Sequence, residues 1–323
     1  MPISINKNSI NFGTYSISLH PDGIEIDGKF KYGSYEIPTP PPTAYGSVSG
    51  YTSGGFAPPS DSNVIDKFPF ASDANATDVG DLTVARDISG GQSSTVSGYT
   101  SGISTTIDKF PFSTDANATD VGDLTLADAV FGGSSSSTSG YSIFRAGFDK
   151  FPFASDANAT DVGDLTQARN FSSSSGSAES SYTAGGFAPG AQNTIDKFPF
   201  ATDANSTDVG NLTRGVYRNS GQSSSVSGYI SGGGDPGFSN AIEKFPFASD
   251  GNATDVGDLI TTRYKATGQS STDSGYLSAG GSPQIPTFVT NAIEKFPFAS
   301  DGNATDVGDL TQGRYDHPAG QQV

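Results

Sequence analysis

The chain has no cysteine and no tryptophan, one methionine and two histidines among its 323 residues. Without thiols it can form neither a disulfide nor a thiolate metal site. The histidines, His20 and His317, stand outside the repeated part of the sequence and read as surface residues of a turn and a tail. No motif sets a base beside a nucleophile, so the sequence reads as that of a non-enzyme. Positive charge is also scarce, with 17 Lys and Arg against 34 Asp and Glu and a net charge of −17. That balance argues against nucleic acid as a partner, since phosphate binding rests on clustered Lys and Arg. It suits solubility and is compatible with divalent cations. Hydrophobic residues make up 33% of the chain, under the roughly 45–50% apolar share of an average globular protein, a share that counts glycine. No apolar run approaches the ~20 residues of a membrane span, and the N-terminus lacks the basic-then-apolar pattern of a signal peptide. No membrane insertion is expected.

What is present is a repeat. The stretch that starts Lys67-Phe68-Pro69-Phe70-Ala71-Ser72-Asp73-Ala74-Asn75-Ala76-Thr77-Asp78-Val79-Gly80-Asp81-Leu82-Thr83 returns at Lys109, Lys150, Lys197, Lys244 and Lys295. Steps of 42, 41, 47, 47 and 51 residues fit a propeller blade of about 40–50 residues. Twelve of the 22 phenylalanines sit in the six Phe-Pro-Phe triplets, so the core is assembled from few, large, regularly placed side chains. Strand alternation puts Phe68 and Phe70 on one face and Lys67 and Pro69 on the other. No segment carries helical periodicity. The fold class is therefore all-β, a six-bladed β-propeller over residues 45–323.

Residues 1–37 differ. Ile3, Ile5, Ile10, Phe12, Tyr15, Ile17, Leu19, Ile24 and Ile26 alternate with polar residues, with turn signals at Pro21-Asp22-Gly23 and Asp27-Gly28. They read as a small antiparallel β module, either a strand pair lying on the propeller or an anchor to other proteins of an assembly or to copies of itself. The proline-rich residues 38–44 read as a stiff, extended linker.

Cycles also carry a Ser-Gly-Tyr phrase, often with a Gly pair behind it. From each motif lysine to the next of these tyrosines is 32 residues, as in 67 to 99, 109 to 141 and 244 to 276. All length variation falls between that tyrosine and its own lysine, in 52–66, 100–108, 142–149, 183–196, 230–243 and 277–294. One connection per blade is thus the tolerant one, and in a propeller it emerges on the same face every time. These stretches hold Phe56, Phe144, Arg145, Phe148, Phe187, Phe238 and Phe288, which break the repeat and are the candidates for partner contact. The longest, 277–294, is expected to overhang the channel or a neighbouring blade. The Phe-Pro-Phe pairs are read as packing between blades, not as a sugar platform.

At these residues the pattern resembles the kelch repeat. Gly54-Gly55 take the place of the pair that ends a kelch second strand, 65–70 the third strand, 79–82 the fourth, and Arg86 the arginine that opens the next cycle. The family's fourth-strand Trp is missing, Asp128 stands where the second cycle's Arg would be, and Val216 stands there in the fourth. The Gly pair is missing or displaced in the second and third cycles. The recurring Phe-Pro-Phe-Ala-Ser-Asp-Ala-Asn-Ala-Thr-Asp-Val-Gly-Asp-Leu phrase, behind a short β module, also resembles structural proteins of marine bacteriophages. That resemblance implies a virion component: a tail-fibre, neck or capsid-attached protein, bound to other virion proteins through residues 1–37 and displaying its propeller to a host-surface glycan or protein. The alternative is a secreted or cell-surface adhesion module that binds glycan or protein. An oxidase of the kelch-like kind lacks the Cys and clustered His of a copper site.

One recurring pattern resembles a cation loop. Asp73, Asn75, Thr77, the Val79 carbonyl and Asp81 stand at alternate positions, as oxygen ligands do in the calcium loops of integrin-type propellers, which makes calcium the candidate cofactor. Gly80 falls two places later than such loops require, and a hydrogen-bonded Asx turn explains the same residues and is the favoured reading.

Overall fold

The computed structural model describes residues 46–234 and 237–323, together with the backbone of four strands near the N-terminus. The chain divides into two units, Met1–Pro40 and Pro41–Val323. In the first, Ile3–Asn6, Ser9–Phe12, Tyr15–His20 and Gly23–Asp27 form an antiparallel meander in chain order. Ile5, Ile10, Ile17 and Ile26 are successive partners across it. The linker at 38–44 lies outside the described residues.

The second unit is a six-bladed β-propeller, and each blade has four antiparallel strands. The second blade shows the plan: Gly90–Ser93 innermost, then Ser97–Gly102, Ser104–Pro111 and Thr119–Asp123 outermost. The innermost strands touch one another all the way round. The first blade is built from both ends of the chain, as Ala319–Gln322 pairs with Ser49–Ser53. The Ser47, Val48 and Ser49 amides all donate to the Val323 carbonyl, at 2.9, 2.6 and 3.0 Å. In the second blade the Ser94 hydroxyl accepts from Val96 and Ser97 in the same turn.

Each blade presents two different faces to its neighbours, because its third strand alternates. Tyr51, Ile65 and Leu82 pack on Phe110, Phe112 and Ala118 of the next blade. The tyrosine ring meets both phenylalanines, 5.5 Å from Phe110 and 4.9 Å from Phe112. The same triad recurs at every joint and closes where Tyr276 meets Phe68 and Phe70. A buried aromatic pair adds about 0.5–1.5 kcal/mol beyond its area, so six triads supply the core that the composition withholds. The glycine of Ser-Gly-Tyr is what lets the first phenylalanine lie flat: a Cβ on Gly98 would stand 2.3 Å from Phe110. Only the fourth blade departs, with Ser181 there, and in it Phe198 stacks on Phe148 at 4.3 Å.

Polar joints follow the same period. The carboxylate beside the motif lysine is buried and reaches back to the preceding blade. Asp108 accepts from the Thr83 hydroxyl at 2.6 Å and pairs with Arg86 at 2.6 Å, both groups being buried. Asp196 with Arg169, Glu294 with Arg263 and Asp66 with Arg314 repeat the pair. Nearer the axis, Gln92, Gln222, Gln269 and Gln321 donate to the tyrosine carbonyl of the following blade, at 2.9–3.2 Å.

Candidate functional site

The six variable connections join second to third strands. In an antiparallel four-strand meander that end of the blade is also where the chain passes to the next blade, so both sets share one face. Bonds between them show it: Gly55 donates to the Arg86 carbonyl, Gly186 to Val216, Gly233 to Arg263 and Gly280 to Arg314, at 2.7–2.8 Å.

The seven contact candidates divide on this face. Phe187 and Phe238 are exposed, at 40% and 43%, and Arg145 is exposed. Phe56 and Phe288 are half-buried, edge-on to Tyr315 at 5.5 and 5.9 Å. Phe144 and Phe148 are not loop-tip groups at all, with 6% and 1% exposure. Phe148 pairs with Gly163 as Ile65 pairs with Gly80, so it fills the core slot of the isoleucine before the motif aspartate. The third blade's connection is the shortest, and its tight turn folds Phe144 into the cluster with Tyr99 and Val130. The stretch 277–294 lies beside the blade passages and contributes no residue to the channel lining; its Phe288 ring stands between Tyr264 and Tyr315.

The centre of the face is built from residues the spacing argument passes over. Two places after each position of the motif arginine, the chain turns down into an innermost strand. Ile88, Phe171, Arg218, Lys265, Asp316 and His317 have φ between 38° and 67° there, a left-handed conformation that costs a non-glycine residue about 1–2 kcal/mol. An arc of backbone bonds around the axis holds them: Arg218 N–H to Phe171 O at 2.7 Å, Lys265 to Arg218 at 2.9 Å, His317 to Lys265 at 3.2 Å, Ile88 to Asp316 at 2.7 Å and Val130 to Ile88 at 3.2 Å. Backbone symmetry is kept while side-chain symmetry is lost. One half of the ring carries Ile88, Val130, Phe131 and Phe171. The other carries Arg218, Lys265, Asp316 and His317.

Phe171 reaches across this mouth. Its ring lies 5.2 Å from Phe131 and 6.2 Å from His317, stacked on the latter. The Arg218 guanidinium sits 4.5 Å over it. Lys265 pairs with Asp316 at 2.7 Å and lies over Tyr315 at 5.1 Å. Below them a cavity of about 100 Å³ follows the axis. His317 lines it and is buried, contrary to the surface position expected of a tail residue. Burial drives its pKa down to about 4, opposed by Asp316 and aided by Lys265 and Arg218, so the imidazole is neutral at pH 7. These residues could be found in the sequence only by comparing residue type at fixed positions inside the stretch of constant length.

In the Asp-rich turn, side chains proposed as ligands bond to neighbouring blades. The Asp73 carboxylate takes the Lys295 ammonium at 3.1 Å. The Asn75 side-chain oxygen accepts from the Asp309 amide at 3.1 Å, and the Asp81 amide donates to Asn117 of the next blade. The Asp73 and Asn75 oxygens thus take different partners, both on the preceding blade. Among the described residues no three acidic or histidine side chains converge as a metal site. The turn is an interblade clip of the Asx kind.

No protein-family model matches the chain, and no curated protein matches it significantly.

Proposed function

We propose that the chain is a non-enzymatic structural protein of a bacteriophage particle, in a tail-fibre, neck or capsid-attached position. Residues 1–37 attach it to other virion proteins and the propeller is displayed for contact with a host-surface glycan or protein. One observation carries the contact part: repeated side chains serve the joints between blades, while the departures from the repeat gather on one face and at its centre. The Phe-Pro-Phe phrase, which resembles structural proteins of marine bacteriophages, and the kelch-like order of its blades support the display role. Co-sedimentation with purified particles tests the reading. The full chain is expected to be found with particles, and a chain beginning at Pro42 is expected to fold as a ring but stay in the supernatant. Retention of that shortened chain would refute the anchor. Absence of the full chain from particles, with retention on cell surfaces, would favour the adhesion-module alternative.

A further inference from the structure

We infer that the axial cavity under Phe171 is a binding site for a small oxyanion, a phosphate or carboxylate group that enters past Arg218. Three independent features converge there. The first is a cation at the mouth, held over the Phe171 and Tyr217 rings at 4.5 and 5.5 Å. Arg218 is half-buried, its Nε is buried without a hydrogen-bond partner, and among the described residues no carboxylate pairs with it. Lys265, next to it in the ring, is already matched by Asp316. A buried guanidinium edge without an acceptor is costly and is relieved by an oxyanion, which takes two parallel N–H bonds. In a protein of net charge −17 its placement at the axis is informative.

The second is a set of buried polar groups without partners. His317 lines the cavity, is 5% exposed, and its Nε2 has no partner. The Ser89 and Ser173 hydroxyls line the same space, are at least nine-tenths buried and are equally unmatched. A neutral imidazole donates from one nitrogen, so Nε2–H and two hydroxyls can all donate to one ligand.

The third is room and floor. At mid-channel the inner strands carry Gly91, Gly133, Gly221, Gly268 and Gly320, with Ser174 in the sixth place, and a Cβ on any of these glycines would stand 1.9–2.3 Å from the backbone of the adjoining inner strand. One level further, Ser93, Ser135, Ser223 and Ser270 each accept a backbone N–H from the adjoining blade, at 2.8–3.0 Å. Accepting that bond leaves each hydroxyl its proton to donate elsewhere. A volume of about 100 Å³ suits a group of phosphate size or a few waters, at roughly 30 Å³ per water. The carboxylate of Asp87, near Asp316, is the opposing charge at the rim, and burial raises its pKa.

The test uses the full chain and inorganic phosphate, with chloride at matched ionic strength as the reference. Saturable binding by calorimetry and a rise in melting temperature are expected. Arg218→Gln should weaken binding at least tenfold, and Lys295→Gln, an equal change of charge on the outer rim, should leave it unchanged. Methyl phosphate and acetate distinguish sources: if either binds as well as phosphate, the site takes the oxyanion end of a larger molecule. Should Arg218→Gln fail to fold, His317→Phe provides the same comparison. No saturable binding by the wild type, or equal binding by the Arg218 and Lys295 variants, would overturn the inference. Neither result bears on whether the chain belongs to a particle.

Discussion

Two buried side chains titrate in opposite senses, Asp149 because its partner departs from the repeat and His317 because it is itself a departure. Asp149 occupies the place of Asp108, but the arginine that should face it is Asp128, whose carbonyl accepts from Ile103 as Arg86 accepts from Gly55. Among the described residues only Thr125 bonds the Asp149 carboxylate, and burial raises its pKa. The fold therefore favours its protonated form. Its stabilising contribution is present below the unfolded value near ~3.9 and is lost as pH climbs through the raised folded value. His317 behaves the other way. With a folded value of about 4 against ~6.5 unfolded, it contributes stability above ~6.5 that is lost as pH falls toward 4, roughly 3 kcal/mol in full. Melting curves from pH 3 to 8 should show Asp149→Asn flattening the first dependence and His317→Phe the second. Burial raises the Asp108 carboxyl too, with Thr83 and Arg86 opposing it. Arg86→Ala leaves Asp108 buried without its cation, and urea unfolding should show a loss of about 3–5 kcal/mol.

At the scale of the element, much of each blade was legible. Phenylalanine alternation in Lys-Phe-Pro-Phe gave the third strand and its inward face, and proline marks where pairing stops: Lys67 still opposes Thr77 on the outer strand, and Pro69 opposes only Ser49. The strand count needed the structure, because the innermost strand of Gly, Ser and Gln has no hydrophobic alternation to announce it. The contact candidates were half legible. Phe187 and Phe238 lie on long connections where an extra aromatic is surface. Phe144 and Phe148 lie in a connection too short to leave the core, a difference that length carried and residue type hid. The axial residues Phe171, Arg218, Lys265 and His317 were hidden for the opposite reason, since constant length concealed variable chemistry. The Asx clip is an element-scale device with a modest expected worth. Asn117→Ala removes one acceptor from the Asp81 amide and should cost about 1 kcal/mol. Lys67→Gln, which breaks an ion pair with a 60% exposed Asp115, should cost less than ~1 kcal/mol. Equal losses from the two would contradict the assignment.

For the molecule as a whole, closure is the decisive feature. Ala319–Gln322 supplies the innermost strand of the first blade, and Gln321 reaches Tyr99 O of the second blade at 2.9 Å. Removing 319–323 deletes a strand and one interblade stitch, several hydrogen bonds at about 1 kcal/mol each. A fall in melting temperature of roughly 10 °C is expected at ~2–4 °C per kcal/mol. No change would mean that the ring does not depend on this joint.

The central functional claim is that contact is made through the face of the variable connections. It is tested most directly by comparing two double variants for attachment to host cells or to the purified partner. Phe187→Ser with Phe238→Ser alters the proposed face. Val96→Ser with Val226→Ser alters the opposite one, where both valines are 66% exposed. Both should fold. The account predicts that the phenylalanine pair loses attachment at least tenfold while the valine pair keeps it. Loss in the valine pair with full attachment in the phenylalanine pair would contradict it.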